Sequence, residues 1–210
     1  MKKIILPILA FCLALSGYAQ TNPLWMRYPA ISPDGQTIVF SYKGDLYKVA
    51  ADGGTAVALT MHEAHDYMPV WSHDGKSIAF SSDRYGNFDV FVMPASGGEP
   101  TRLTYHSAND YPWDFSTDDK QVIFGSGRND INTSVRFPAA RLFSKLYTVP
   151  VSGGRSIMLL SAGTENVHYN SKGTQLVFQD RKGTEDPWRK TPYFFCNKRY
   201  LDIQYQKQGI

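Results

Sequence analysis

The stretch Met61-His62-Glu63-Ala64-His65-Asp66-Tyr67 gathers more metal-ligating and acid–base side chains than any other part of the sequence. A zinc helix of the His-Glu-x-x-His kind sets its two imidazoles four residues apart so that both lie on one face, and His62 and His65 fall one residue short of that spacing. The stretch also leads into an extended segment, so these residues are expected to be loop and channel-lining polar groups, and no metal or other cofactor is expected. Nucleophilic chemistry fares no better, because the sequence has no Gly-x-Ser-x-Gly elbow to strain a serine into reactivity. Ser32, Ser72 and Ser116 recur at one place in a repeated pattern, which marks them as turn residues. Asp118-Asp119 reads as part of a hairpin turn, not a cation site. Asp83-Arg84 and Asp180-Arg181 each follow a second strand and are expected as structural ion pairs or turn bonds.

The elements that position these residues are written as a repeat. Ser32-Pro33-Asp34-Gly35, Ser72-His73-Asp74-Gly75, Ser116-Thr117-Asp118-Asp119 and Asn170-Ser171-Lys172-Gly173 are four versions of one turn. Each precedes an alternating strand that carries Phe40, Phe80, Phe124 or Phe178. Asp45-Leu46-Tyr47, Asp89-Val90-Phe91 and Leu146-Tyr147 open a third strand, and the glycine pairs Gly53-Gly54, Gly97-Gly98 and Gly153-Gly154 turn the chain toward a fourth. Aspartate bonds its own backbone in such turns while glycine supplies positive φ. Four short strands recurring about every 40 residues are the signature of a propeller blade. The fold class is therefore all-β: a β-propeller of four-stranded blades, about three complete and part of a fourth. The repeats run about 27–60, 61–104, 105–160 and 161–190. First strands line a propeller's channel, so the candidate contact residues for a peptide or protein are Arg27, Tyr28, His65, Asp66, Tyr67, Asn109, Asp110, Tyr111 and Trp113.

The ends are of different character. Residues 1–19 begin with two lysines, continue as an apolar run and close on Gly17-Tyr18-Ala19, the pattern of a cleaved secretory signal. The run is too short for a membrane span, and none is expected elsewhere. Removing those two lysines leaves 20 basic residues against 19 acidic ones, a net +1 that steers the chain toward neither nucleic acid nor an anionic membrane. Only Cys196 remains after cleavage, so no internal disulfide is expected. The expected location is periplasmic or secreted.

The recurrence of S-P-D-G, I-x-F, D-[LIV]-[YFW], G-G and L-T in register resembles the TolB-type propeller repeat. More narrowly, "NPLWMRYPAISPDGQTIVFSYKGDLY", "SSDRYGNFDVFVMPASGG" and "QDRKGTEDPWRK" resemble the start of the secreted tricorn-type serine peptidases of Bacteroidetes-like bacteria. The resemblance runs from about Asn22 to Lys190. It implies a six-bladed propeller of which this chain holds the first blades, followed by a second propeller, a PDZ domain and a catalytic domain. The family's catalytic residues lie far downstream, so no residue here inherits them. What the resemblance implies for this chain is a non-catalytic role in guiding peptides toward those missing domains. A stand-alone TolB-like periplasmic module that binds protein partners is the alternative.

Two segments break the pattern. Phe124 to Leu146 carries an insertion whose apolar Val135, Phe137, Leu142 and Phe143 are expected to dock on a neighbouring blade or domain. After Lys190 the expected Asp-apolar-aromatic strand does not arrive where unit two places it. Codons for Thr191 to Tyr205 can be chosen so that reading one base later yields HHTSSVTSDIWIY, which supplies such a strand and resembles the family's continuation. A single-base shift near Lys190 is the expectation, making 191–210 a non-homologous tail that joins no blade, with Phe194, Phe195 and Cys196 accidents of frame. A chain ending in a partial blade leaves unpaired strand edges and is expected to be unstable alone or to self-associate.

Overall fold

In the computed structural model, residues 25–128, 144–161, 163–180 and, as a strand, 198–202 are described. Blade 1 is β1 (Arg27–Ile31), β2 (Thr37–Tyr42), β3 (Asp45–Ala50) and β4 (Val57–Ala58); blade 2 is β5 (Asp66–Trp71), β6 (Ser77–Ser82), β7 (Asp89–Pro94) and β8 (Thr101–Arg102). Blade 3 is β9 (Asp110–Phe115), β10 (Gln121–Ser126), β11 (Lys145–Pro150) and β12 (Ile157–Leu160); blade 4 is β13 (Thr164–Tyr169), β14 (Gln175–Asp180) and β15 (Lys198–Asp202). Each sheet is an antiparallel meander in chain order. Among the described residues there is no helix, and so none that is long and apolar enough to cross a membrane.

Alternation along the second strands explains the stacking of the blades. Side chains on a strand point to opposite faces in turn, so Ile78 and Phe80 of β6 face blade 1 while Ala79 faces blade 3. The first seam packs Val39 and Leu46 against Ile78, Phe80, Phe91 and Met93. The second packs Ala79, Val90 and Leu103 against Phe115, Val122, Phe124 and Tyr147. The third packs Ile123 and Leu146 against Val167, Leu176 and Phe178. Every blade between two others is thus apolar on both faces. Each large buried side chain contributes about 1.5–3 kcal/mol.

The polar letters of the repeat tie each blade together. Ser32 and Ser72 hydroxyls bond the Asp34 and Asp74 carboxylates at 2.5 and 2.8 Å, and each serine oxygen also accepts the amide that opens the second strand. Ser116 does the same with Asp118 and Gln121. The threonine that ends each of the first two units returns to the third strand: Thr60 and Thr104 accept the Leu46 and Val90 amides at 2.9 Å and lie beside Asp45 and Asp89. Recurrence of Asp and Leu-Thr is therefore a hydrogen-bonding requirement of the blade.

The tail departs from expectation at one place. β15 pairs with β14 from Gln175↔Asp202 to Gln179↔Lys198 and stands as the third strand of blade 4. An exposed strand edge offers backbone donors and acceptors to any extended segment, whatever its side chains. The register is informative. Lys198 and Arg199 stand opposite Gln179 and Phe178, where the earlier blades place Leu46-Tyr47, Val90-Phe91 and Leu146-Tyr147. Residues 1–19, expected to be a signal, the inserted residues Val135, Phe137, Leu142 and Phe143, and Arg181, Phe194, Phe195 and Cys196 lie outside the described residues.

Candidate functional site

Blade topology sorts the loops onto two ends. The serine-aspartate turns and glycine-pair turns lie at one end, and the loops after each second strand, with those between blades, lie at the other. This second rim is where first strands begin, and a bulge shapes it. Tyr28, Met68 and Asn166 take φ of 51°, 55° and 50° at equivalent places in β1, β5 and β13, where the pairing register shifts. Bulges of this kind twist a strand and re-aim its side chains. In β9 the place is held by Pro112, which cannot take positive φ, and the shift moves one residue on, between Ile123 and Phe124 of the partner strand.

Four rings from three blades meet at this rim. Tyr67 is the hub, 5.4 Å from Tyr28, 4.8 Å from Phe88 and 6.1 Å from Tyr111, each in an edge-to-face arrangement. His65 lies 5.1 Å from Tyr67 and 6.1 Å from Phe88. Such geometries suit the ring quadrupole and are worth about 0.5–1.5 kcal/mol per pair beyond burial. Burial, and then the neighbouring Tyr111, push the Tyr67 phenol upward, so it stays protonated and is a hydrogen-bond donor. Tyr28 is 45% exposed and His65 is also open to solvent. Polar contacts fix the loops beneath: Asp83 accepts the His65 amide at 2.8 Å, and Asn109 accepts the Phe88 amide at 3.2 Å. The His62 and His106 rings each accept the amide two residues on, from Ala64 and Ala108.

Of the residues expected along the channel, Tyr28, His65, Tyr67 and Tyr111 come together in this cluster. Arg27 lies over the Trp25 ring at 4.9 Å, and Asn109 braces a loop. Asp66 and Asp110, grouped with the channel row in the sequence reading, are instead fully buried. Asp66 pairs with Arg84 at 2.7 Å, and Asp110 pairs with Arg128. The guanidiniums lie over Phe80 and Phe91 in blade 2, and over Phe124 and Tyr147 in blade 3. Asp83-Arg84 thus divides into a bond from the His65 amide, 18 residues earlier, to Asp83 and an ion pair of Arg84 with Asp66. Trp113 packs instead into the third seam, against the cluster of Ile123, Leu146, Val167, Leu176 and Phe178. Phe88 and Arg128 were missed. Phe88 precedes the recurring aspartate of unit two, and Arg128 stands where the repeat puts Arg84, so both were readable by alignment of the units.

Chemically the rim presents aromatic faces beside hydrogen-bonding groups. Among the described residues no three His, Cys, Asp or Glu side chains converge as a metal site. The family described as the tricorn protease N-terminal beta propeller domain matches residues 23–193, and the chain belongs to it. Over an alignment of 71 residues the chain is 35% identical to dipeptidyl-peptidase 5 of Porphyromonas gingivalis, with 29% of this chain and 10% of that protein covered. A structure described as TolB from Agrobacterium tumefaciens is 25% identical with a TM-score of 0.58, over 72% of this chain and 53% of its own. TolB from Acinetobacter baumannii, 21% identical with a TM-score of 0.60, covers 74% of this chain and 38% of its own, and shares the fold. The chain therefore spans only part of the length of the relatives it matches. The propeller domain is non-catalytic in the families it resembles.

Proposed function

We propose that this propeller works outside the cytoplasm as the peptide-guiding part of a tricorn-type peptidase, holding extended chains at the first-strand rim and performing no bond chemistry itself. The observation that supports this reading most is the cluster of Tyr28, Tyr67, Phe88 and Tyr111, which joins three blades and is open at Tyr28 and His65. Rigid rings take apolar or proline side chains at low entropic cost, while the Tyr67 hydroxyl and the His65 imidazole offer hydrogen bonds to a peptide backbone. A stand-alone TolB-like binding module is the second reading, supported by the likeness to the Agrobacterium TolB structure.

The test is binding of a fluorescein-labelled 12-residue peptide rich in proline and phenylalanine, read by anisotropy against a glycine-serine control. Tyr67→Ala and Tyr111→Ala should each weaken binding about tenfold, as truncating an aromatic anchor does. Equal binding by the control peptide, or undiminished binding by both variants, would refute the guiding role. Reading the locus beyond the chain separates the two proposals: further repeats, a PDZ domain and a peptidase domain favour the first.

A further inference from the structure

The opposite end of the propeller holds a second site, in the seam between blades 1 and 2. There a cavity of about 650 Å³ is lined by residues that include Asp34, Lys48, Trp71, His73, Asp74 and Gly75, with the Asp74 carboxylate paired to Lys76 at 3.2 Å. Its origin is seen by comparing the three seams. In the second seam, Asp119 takes the last place of the blade 3 turn, and its carboxylate reaches back into the blade 2 turn. It accepts the His73 amide at 2.7 Å and the Asp74 amide at 2.8 Å, and lies 3.0 Å from His73 Nδ1. In the third seam the corresponding residue is Gly173, and Thr117 fills the space so closely that an added Cβ would lie 2.6 Å from its hydroxyl. In the first seam the corresponding residue is Gly75. A Cβ there would meet only Pro33, at an ordinary 3.7 Å.

The first seam thus has the seat without its occupant. Pro33 lacks an amide hydrogen, and the Asp34 amide meets no backbone acceptor among the described residues, only its own carboxylate. Lys48 compensates for the missing donor. Its place in β3 is held by Val92 in β7 and Thr148 in β11, so this is the seam with an ammonium at that place. Lys48 Nζ makes only long contacts, 3.5 and 3.4 Å, with the Ala95 and Ser96 carbonyls. We propose that this cavity binds a carboxylate supplied from outside the four blades, seated on the Asp34 amide and the Lys48 ammonium with the Trp71 indole as its apolar wall.

The turn carboxylates do not forbid this. Asp34 is held by the Ser32 hydroxyl and the Gln36 amide. Asp74 has the same relation to its own turn and sits beside Asp119 without preventing the seat there from filling. A carboxylate can come from a peptide's C-terminus or from an acidic side chain, and either source presents the same group.

Three probes distinguish the sources on the full chain: Ac-Gly-Phe as the free acid, the same dipeptide as its amide, and Ac-Ala-Glu-Ala-amide. Binding is followed by calorimetry and by the Asp34 amide and Trp71 indole signals in ¹H–¹⁵N spectra. At least one acid should bind and shift both signals, with the neutral dipeptide at least tenfold weaker. The acid that binds identifies the source. Gly75→Asp supplies the occupant from within and should abolish binding; Lys48→Met should weaken it at least tenfold without changing the melting temperature. If Gly75→Asp does not fold, Lys48→Met decides alone. Absence of binding by both acids, equal binding by the neutral dipeptide, or undiminished binding in Lys48→Met overturns the proposal.

Discussion

The carboxylate of Asp119 holds the backbone of His73 across the seam between blades 2 and 3, accepting its amide at 2.7 Å while lying 3.0 Å from its ring nitrogen. Asp119 does so from φ +56°, a conformation that glycine takes in the equivalent turns. The strain of a left-handed aspartate is offset by two amide bonds to a charged acceptor. Asp119→Gly removes the latch while relieving the backbone, and should cost about 1–2 kcal/mol in urea unfolding. Asp119→Asn keeps the shape and should fall between. A glycine variant as stable as the parent would show that the latch contributes nothing.

The two buried aspartate–arginine pairs make a sharper prediction. Arg84→Met leaves Asp66 fully buried without its cation, and should destabilise by about 3–5 kcal/mol. Adding Asp66→Asn should recover more than half, because the stranded charge is then gone. Arg128→Met with Asp110→Asn should behave alike in blade 3. Equilibrium unfolding of the singles and doubles measures the coupling, and strict additivity would argue against a pair.

Stability should depend on pH in opposite senses at different groups. Burial pushes the Asp110 carboxyl from 3.8 up to about 6, against the pull of Arg128, so the folded chain holds this proton more tightly than the unfolded one. Its contribution is complete below about 4 and is lost as pH rises toward 6. The His168 ring is raised by its bond to Asp114, so its contribution is present below 6.5 and is lost as pH rises through the folded value. The Ser32 and Ser116 hydroxyls lower Asp34 and Asp118, and the Lys76 amide lowers Asp74; their contribution is lost instead as pH falls through their lowered folded values. Unfolding free energy from pH 4 to 8 should therefore decline in the parent and decline less in Asp110→Asn and in His168→Asn. Unchanged slopes would remove these groups from the account.

The register of β15 bears on the tail. Lys198 and Arg199 stand where three earlier blades place an aliphatic residue followed by an aromatic one. Arg199→Tyr should raise the melting temperature by a few degrees, since Phe91 and Tyr147 at the same register pack into the seam with the preceding blade, where an apolar side chain contributes about 1–2 kcal/mol. The nucleotide sequence offers an independent check of the proposed shift of frame: beyond Lys190, the next frame should encode the D-I-W-I-Y strand and further repeats. Immediate stop codons there would dispose of the proposal.

Blade architecture was legible in the sequence because its causes are local. A serine-aspartate turn bonds its own backbone, Ile38 and Phe40 alternate within one strand, and Leu-Thr returns to a strand of the same blade. Each of these is set within one blade, by residues at most 14 positions apart, and repetition multiplied the signal. That Tyr28, Tyr67 and Tyr111 belong to first strands was legible too, because each precedes a serine turn of the repeat by four or five residues. Tertiary structure alone decided what lies between blades. Whether Trp113 lines a channel or fills a seam, and whether the last turn residue is a latch in Asp119 or an opening at Gly75, depend on a neighbour about 40 residues away in the chain, and the meeting of Asp110 with Arg128, 18 residues on within blade 3, is likewise made only by the folded blade. Charge, ring and glycine look alike in sequence whichever way they point; packing against the next blade gives each one its partner.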